Sequence, residues 1–540
     1  AFGYQRERKN MIKKSLTLLA IGILVLGSSS VKGQDWVEMM NDQSVNFYDV
    51  VNAYEAHFED KEYERGSGMK QFLRWKDFME PRVYPSGERW PSTAAYDALQ
   101  DYAKNNPVQG GNKVANWQAM GPIDWQSISY NPGTGRVNSV RVDPNDSNRI
   151  YIGTPAGGCW KSNDHGQTWA PLTDDLPVIG VTDIAINPNN SNILYISTGD
   201  GYAGNTYSLG VLKSTDQGQT WNPTGLSFFR SQNVRSRKLL INPLNPDVLW
   251  LATGVGLFKT NDAGVTWNSV LSGDVRNVKM RPGDSTIIYA STDQFYRSTD
   301  GGNTFTLSNT LITGGTIPGS STINRMEIAV SAANANYVYA VTGKQSDASL
   351  EGVYLSVDNG QNFFKQADGT TNLFSYDANG NNGGGQSWYD MAIAVNQTDE
   401  NEVYVGGINV WKSNTAGAGW SIVSHWTYPS NVGYTHADIH SLEWYNGELY
   451  CGSDGGIFNS IDNGNNWSDL SGGLQIMQFY KMAQTPQNSE MILAGAQDNG
   501  CNFRDPQGDW THIFGADGMT TAIDPTNFST IYFASQNGSI

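Results

Sequence analysis

The sequence predicts an all-β chain of β-propeller architecture. Three observations predict it: an eight-residue unit that returns seven times, an apolar strand carrying Tyr or Trp at blade-length spacing ahead of it, and a glycine-rich, charge-poor composition. The 540 residues hold 59 Gly against 16% charged side chains, and 11% are aromatic. That balance favours many short strands joined by turns, with ample material for a core.

The N-terminus reads differently from the rest. Lys13 and Lys14 precede an apolar run from Leu16 to Leu26, then three serines and Gly33, the pattern of a signal peptide over 11–33 that begins at Met11 and is cleaved near Gly33. The expected location is therefore secreted or cell-surface. The run is short for a membrane span and no later stretch is apolar enough, so no membrane insertion is expected. Residues 34–115 read as a helical leader: Phe47, Val50, Val51, Tyr54 and Phe58 recur at helical spacing, and Pro91 with 94–103 suggests a further helix. Cys159, Cys451 and Cys501 are an odd number and match no metal-binding spacing, so they read as packing cysteines.

From 116 to 540 the repeat dominates. It reads SerAsnAspHisGlyGlnThrTrp at 162–169, SerThrAspGlnGlyGlnThrTrp at 214–221, ThrAsnAspAlaGlyValThrTrp at 260–267 and SerThrAspGlyGlyAsnThrPhe at 298–305. Later copies drift, at 356–363, 413–420 and 460–467. The Asp carboxylate is suited to accept turn N–H groups, the Gly to supply φ > 0, and the Trp to pack between sheets, so the motif is structural. Strands such as ArgIleTyrIleGly at 149–153 and GluValTyrValGly at 402–406 recur once per blade. Two more, at 491–495 and 530–534, follow the last copy and bring the total to about nine units. Nine exceed a single seven-blade ring, which leaves a ten-blade ring or two consecutive seven-blade propellers, incomplete at the C-terminus.

These residues resemble the Asp-box, or BNR repeat, of sialidases, sortilin-type ectodomains and xyloglucanase-type glycoside hydrolases. The stretch at 71–85 resembles a leader found ahead of propellers exported by Bacteroidetes-type bacteria. In a propeller blade the a-to-b and c-to-d turns share one face and the b-to-c and d-to-a connections the other. With the repeated motif at c-to-d turns, function is to be sought on the opposite face.

Four polar segments belong there: ThrHisAlaAspIleHis at 435–440, GlySerAspGlyGly at 452–456, GlyAlaGlnAspAsnGly at 495–500 and GlyAlaAspGly at 515–518. At strand spacing His436, Asp438 and His440 project from one face and form a candidate divalent-metal or acid/base set, the alternative being loop hydrogen bonding that keeps blades in register. No other cofactor is indicated. Candidate ligand-binding residues are His436, Asp438, His440, Gln497, Asn499, Asp517, Trp388 and Tyr389. Tyr202, Tyr207, Trp426, Tyr428 and Tyr434 join the last two in Gly/Asn-rich loops, which suggests an aromatic rim.

A net charge of −17 excludes nucleic acid as a natural partner, so the expected partner is a polysaccharide or an extracellular protein. The xyloglucanase resemblance implies two catalytic carboxylates, one in a first-blade motif that here reads TyrIleGlyThrProAlaGlyGlyCysTrpLys at 151–161, with Pro155 in the Asp position. A proline carries no proton to transfer. Candidate carboxylates elsewhere are Asp454, Asp498 and Asp200. The Arg-Ile-Pro motif of sialidases is absent. The reading is a propeller that binds a glycan or protein ligand on the face opposite the repeated turns, with a xyloglucanase-like hydrolase of β-glucans as the alternative.

Overall fold

The computed structural model describes residues 35–42, 44–60, 67–89, 101–102, 104–105, 118–123, 125–174, 176, 180–204, 206–229, 232–427 and 432–538. The signal segment 11–33, most of the helix expected over 94–103, and Tyr428 lie outside them. Chain contacts divide the protein into two compact units, one of 1–63 with 71–91 and one of 64–70 with 92–540.

The first unit is built on helices α1 (Asp35–Asn41), α2 (Phe47–Phe58) and α3 (Met69–Val83), the last entering it from Gln71. Phe47, Val50, Val51 and Tyr54 turn inward from α2 because they recur one helical turn apart. Tyr54 stacks on Phe72 of α3 with ring centroids 3.6 Å apart. Asn46 caps α2, its side chain accepting from the backbone N–H of Tyr48.

The second unit is all β. Seven antiparallel sheets follow one another over 139–171, 181–227, 236–272, 277–307, 310–367, 392–424 and 439–469, and in each of them four strands run in sequence order. Thr310–Leu311 adds a parallel fifth strand at the outer edge of the fifth. The innermost strand of each blade packs on that of the next, and that of blade seven packs on that of blade one, so the ring closes after seven blades. The closing core is Val137, Val140, Val142, Ile150, Ile152 and Trp160 against Tyr450, Ile457, Leu474 and Ile476. Trp169 seals it by donating its indole N–H to the Leu470 carbonyl at 2.9 Å.

An eighth blade, 479–514, lies outside that ring, and Gly518–Ile523 of the next sheet packs on its innermost strand. The ten-blade alternative is therefore corrected: the ring closes with seven blades, and an eighth blade and a further two-stranded sheet follow outside it. The physical reason is the blade-one face, whose apolar residues are consumed by blade seven. Gln126 and its neighbours, in strand Trp125–Ser127, pair in parallel with Trp510–Phe514 of blade eight.

The repeated motif occupies the c-to-d turn of every blade in the first ring. At 162–169, Asp164 accepts from the Thr168 N–H at 2.8 Å, the Thr168 hydroxyl at 2.6 Å and the Ser162 hydroxyl at 2.7 Å. Two successive residues, His165 and Gly166, have φ of 60° and 83°. Both thus take the left-handed conformation of a hairpin turn, not the Gly alone. The motif tryptophans are half-buried and clamp neighbouring blades: Trp221 donates to Leu172 O and Trp467 to Val423 O. Cys159, Cys451 and Cys501 are buried free thiols, and burial pushes the Cys501 thiol up to about 11.

Candidate functional site

On the face opposite those turns, connections from blades one, two, six, seven and eight bring buried polar side chains together. Arg136 arrives just ahead of the first inner strand, Asp200 from the b-to-c connection of blade two, and Tyr389 and Asp390 ahead of blade six. Asp438 and His440 come from the entry to blade seven, Asp454 from its b-to-c turn, and Gln497, Asp498 and Asn499 from the b-to-c turn of blade eight.

Local geometry explains how they get there. The ring of His436 lies flat on Gly455, where a Cβ would stand 2.0 Å from the imidazole, so only glycine lets the 453–456 turn fold under the 435–438 segment. The Asp454 N–H is shared between the carbonyls of Ala437 and Asp438. Asp438 and Asp498 have φ of 66° and 55°, a conformation Asp tolerates better than most side chains.

A continuous network results. Arg136 donates to Asp200 at 2.6 Å and to the Tyr389 hydroxyl at 3.0 Å, and that hydroxyl donates to Asp454 at 2.6 Å. His440 Nε2 lies 2.8 Å from the other Asp454 oxygen. The Asn499 amide donates to the Asp454 carbonyl at 3.0 Å, and the Asp498 N–H to Asp517 at 2.9 Å. Gln386 donates to Asp438. Lys70, in the short 64–70 segment of this unit, places its ammonium 3.3 Å from both Asp498 and Asp517.

Electrostatics sorts these groups. Burial, then the neighbouring Asp498 charge and a hydrogen bond with it, holds the Asp454 carboxyl well above the usual carboxylate range. Burial and the Asp438 charge do the same for Asp390. Burial lowers His440 well below its ordinary value, with the Arg136 charge adding to it, so this ring is neutral; burial lowers His436 as well. For Arg136, burial opposes the charge but Asp200 and Tyr389 outweigh it and fix the guanidinium as a cation. The centre therefore pairs a carboxyl that keeps its proton with a carboxylate beside it, the combination acid/base chemistry needs.

The pocket between them is lined by Gly135, Arg136, Tyr389, Asp454, Gln478, Gln497, Asp498 and Asn499. It has room for about one water molecule.

The candidate residues fall into three groups. Asp454, Asp498, Asp438, His440, Gln497, Asn499, Asp517 and Tyr389 come together at or beside the pocket. His436 joins them differently, its Nε2 engaged with the Asp498 carbonyl at 3.1 Å. Asp200 also borders the network, but it is locked to Arg136 and to the N–H groups of Tyr202 and Ala203, which leaves it a positioning carboxylate.

Two expectations need correction. His436, Asp438 and His440 do not share a strand face, because the strand begins at Ile439 and Asp438 is left-handed; the close oxygen set is Asp438, Asp454 and Asp498 instead. Nor do the loop aromatics form an exposed rim. Tyr202 and Tyr389 are buried and Tyr207, Trp388, Trp426 and Tyr434 half-buried. Trp426 donates to the Tyr376 carbonyl and Tyr434 to the Pro132 carbonyl, and such bonds draw them into the protein.

Sequence reasoning missed Arg136, Asp390, Gln386 and Lys70. Arg136 had a readable signal: it holds the same place before blade one that 435–438 holds before blade seven.

No family model matches the chain. Over 163 residues it is 28% identical to a xyloglucanase from Paenibacillus sp., a match covering 28% of this chain and 16% of that protein. It is 29% identical over 163 residues to a xyloglucanase from Acetivibrio thermocellus, covering 28% and 19%. An oligoxyloglucan-reducing end-specific xyloglucanase from Emericella nidulans is 28% identical over 158 residues, covering 27% and 19%. The matched region thus spans less than a fifth of the length of these relatives. Among solved structures, the GH74 xyloglucanase from Xanthomonas campestris superposes with a TM-score of 0.57 at 16% identity, covering 77% of this chain and 66% of that one. The GH74 enzyme of Niastella koreensis gives 0.55 at 19%, covering 75% and 64%. With these proteins the chain shares the β-propeller fold.

Proposed function

We propose that this protein is a secreted or cell-surface glycoside hydrolase that acts on a polysaccharide of the β-glucan class, xyloglucan being the first to try. We place it with Asp-box propellers of the sortilin-like and xyloglucanase-like group. One observation carries the reading: Asp454, buried and holding its proton, is hydrogen-bonded to Asp498 within a supporting set of Tyr389, His440 and Arg136. Xyloglucanase relatives and GH74 fold neighbours support the substrate class.

In this scheme Asp454 is the general acid that protonates the leaving glycosidic oxygen, and Asp498 the carboxylate that acts on the anomeric carbon. An inverting pair stands about 6.5–9.5 Å apart to admit water, whereas a retaining pair stands about 5–5.5 Å apart. Asp438, Asp454 and Asp498 each bring one oxygen within 4.8 Å of the others, and the configuration of the released product tells which separation the pair takes around a bound sugar. The sugar lies across the pocket mouth, since the pocket itself is water-sized. Tyr389 and His440 orient Asp454, and Arg136 holds Tyr389.

The test is reducing-end release from xyloglucan and other β-glucans by the wild type and by Asp454→Asn. Release by the wild type is expected, and NMR of the product's anomeric configuration tells retention from inversion. No release from folded protein overturns the reading. A second reading, binding without turnover, is favoured by Pro155, which stands in the b-to-c turn of blade one where Asp498 stands in that of blade eight. Retained affinity for the same polysaccharides without release would establish it.

A further inference from the structure

Three arginines converge where the chain enters blades three and four, on the same face as Asp454. Arg237 stands at the start of the innermost strand of blade three, and Arg276 ends the connection into that of blade four. Arg235 rests its guanidinium against Gly204, where a Cβ would stand 3.0 Å from Cζ, Nε and Nη2. Arg237 is the extra residue of a bulge: Ser236 pairs with Thr253 and Lys238 with Ala252, and 237 is left between them. A bulge re-aims the side chain it carries. The same bulge in blade seven, between Ile439 and Ser441, is the one that sets His440 on Asp454. Arg237 is thus the counterpart, four blades away, of a residue of the centre.

A second observation points to a ligand. Among the described residues Arg237 and Arg276 share one carboxylate, that of Asp274, at 3.2 and 2.7 Å. The Arg237 side chain is 6% exposed and reaches Asp274 through Nη2 alone, while its Nε is buried with no hydrogen-bond partner. Burial, then the charge of Arg276 with those of Arg235 and Arg325, outweighs Asp274 and brings Arg237 down to about 9; burial lowers Arg276 as well. Arg325 has its own counter-ion in Glu327 at 2.8 Å. A buried guanidinium with an unused donor and like charges around it gains from one more anion. The cluster is open on one side, since Asp274 is 39% and Arg276 24% exposed.

We propose that Arg237 and Arg276, with Arg235 beside them, bind one oxyanion group of an acidic sugar, a carboxylate or a sulfate ester. Guanidinium forks fit either group with paired hydrogen bonds. The chain as a whole carries −17 and repels a densely charged polymer, so a local excess of arginine suits a single charge on an otherwise neutral saccharide. Arg325 joins this cluster to the centre: it donates to the Tyr389 carbonyl at 2.9 Å and to the Met391 carbonyl at 3.1 Å, on the segment that carries Asp390. An acidic substituent held here would steer a chain toward that segment. The choice of a sugar rests on the polysaccharide reading above; the anion site does not require turnover.

The experiment is calorimetric titration of the whole chain with glucuronate and with glucose 6-sulfate, glucose and acetate serving as the uncharged and the sugar-free probes. One site is expected for at least one of the two acidic sugars, with a dissociation constant of about 10⁻³ M or tighter that weakens as salt is added; the tighter of the two identifies the group. Arg237→Gln is expected to weaken binding about tenfold or more, and the half-exposed Arg276→Gln is the second variant. Asp274→Asn removes the carboxylate that competes for both guanidiniums and is expected to tighten binding about tenfold, a gain that a merely structural role would not produce. Absence of heat with both acidic sugars overturns the site, as does unchanged affinity in the folded arginine variants. Acetate binding as tightly as glucuronate overturns the choice of a sugar. Release from neutral xyloglucan without anion binding removes the site and leaves the hydrolase. Anion binding without release from any glucan does the reverse.

Discussion

Aspartate is used in two opposite ways on the two faces of the propeller. In the repeated turns Asp164, Asp216 and Asp262 lie at the surface, and hydroxyl and N–H donors from the same turn bring their carboxyls down to about 2. On the other face Asp390 and Asp454 are buried among other carboxylates and pushed well above the ordinary range. The residue type is the same; the difference is whether the chain supplies donors locally or removes water and adds like charge. A surface carboxylate with its own donors is a fastener, and a buried one that keeps a proton is a reagent.

The largest expected effect that tests this contrast is on turnover. Asp454→Asn is expected to lower polysaccharide cleavage by about 10²–10⁴-fold, the range for loss of a general acid, while Asp164→Asn leaves kcat unchanged; equal losses in both would break the distinction. Tyr389→Phe comes next. It strips a partner from Arg136 and from Asp454 together, and the expected loss is about 1–3 kcal/mol of unfolding free energy by denaturant titration. No loss would mean that the hydroxyl bridge does not support the centre.

A third test uses pH. Because the folded Asp390 and Asp454 hold protons that the unfolded chain releases above its ordinary value of 3.8, their contribution to stability is complete below that value and falls as pH rises toward the folded pKa. The turn carboxylates run the other way: their contribution is complete above 3.8 and is lost as pH falls toward about 2. Asp390→Asn should therefore gain in Tm relative to wild type as pH rises above 3.8, and Asp216→Asn should flatten only the acid limb. The smallest effect belongs to the degenerate turn at 413–420, where Thr415 stands in for Asp and its single hydroxyl serves the Gly419 N–H and the Ser413 hydroxyl. Thr415→Asp is expected to raise Tm by about 1 °C in calorimetry; a fall would mean that the turn has adapted to its drift.

The repeated turns were legible because every element of the motif is local: Ser162, Asp164, Gly166 and Thr168 bond within one hairpin. What escaped was the second left-handed residue, since His165, Gln217 and Ala263 at that place share no side-chain chemistry and the hairpin alone imposes their conformation. The polar segments of the opposite face were also legible, as 435–440, 452–456 and 495–500 carry unusual runs of Asp, Gln and Asn. Their partners were not: Tyr389 reaches Asp454 from the neighbouring blade, 65 residues away, and Arg136 reaches Tyr389 only through ring closure, 253 residues away in sequence. The alternation argument failed at Asp438 for a local reason: its positive φ breaks the strand one residue before Ile439, so period-two spacing has no strand to act on.

The parallel pairing of strand Trp125–Ser127 with blade eight has a consequence for the order of assembly. Ser127 is hydrogen-bonded to His512, 385 residues further along, and ten residues on, Val137 and Thr134 are tied to the turn at Ser453 and Gly455 of blade seven. The intervening stretch delivers Arg136. As the chain emerges during synthesis, this early segment has nowhere to dock until residues near 510 have been made, and closure over so long a loop is slow. The part of the protein made early is thus seated late, and the centre around Asp454 matures only when blade eight has folded. A nascent or shortened chain that ends before blade eight would carry all seven blades of the ring and still lack a finished site.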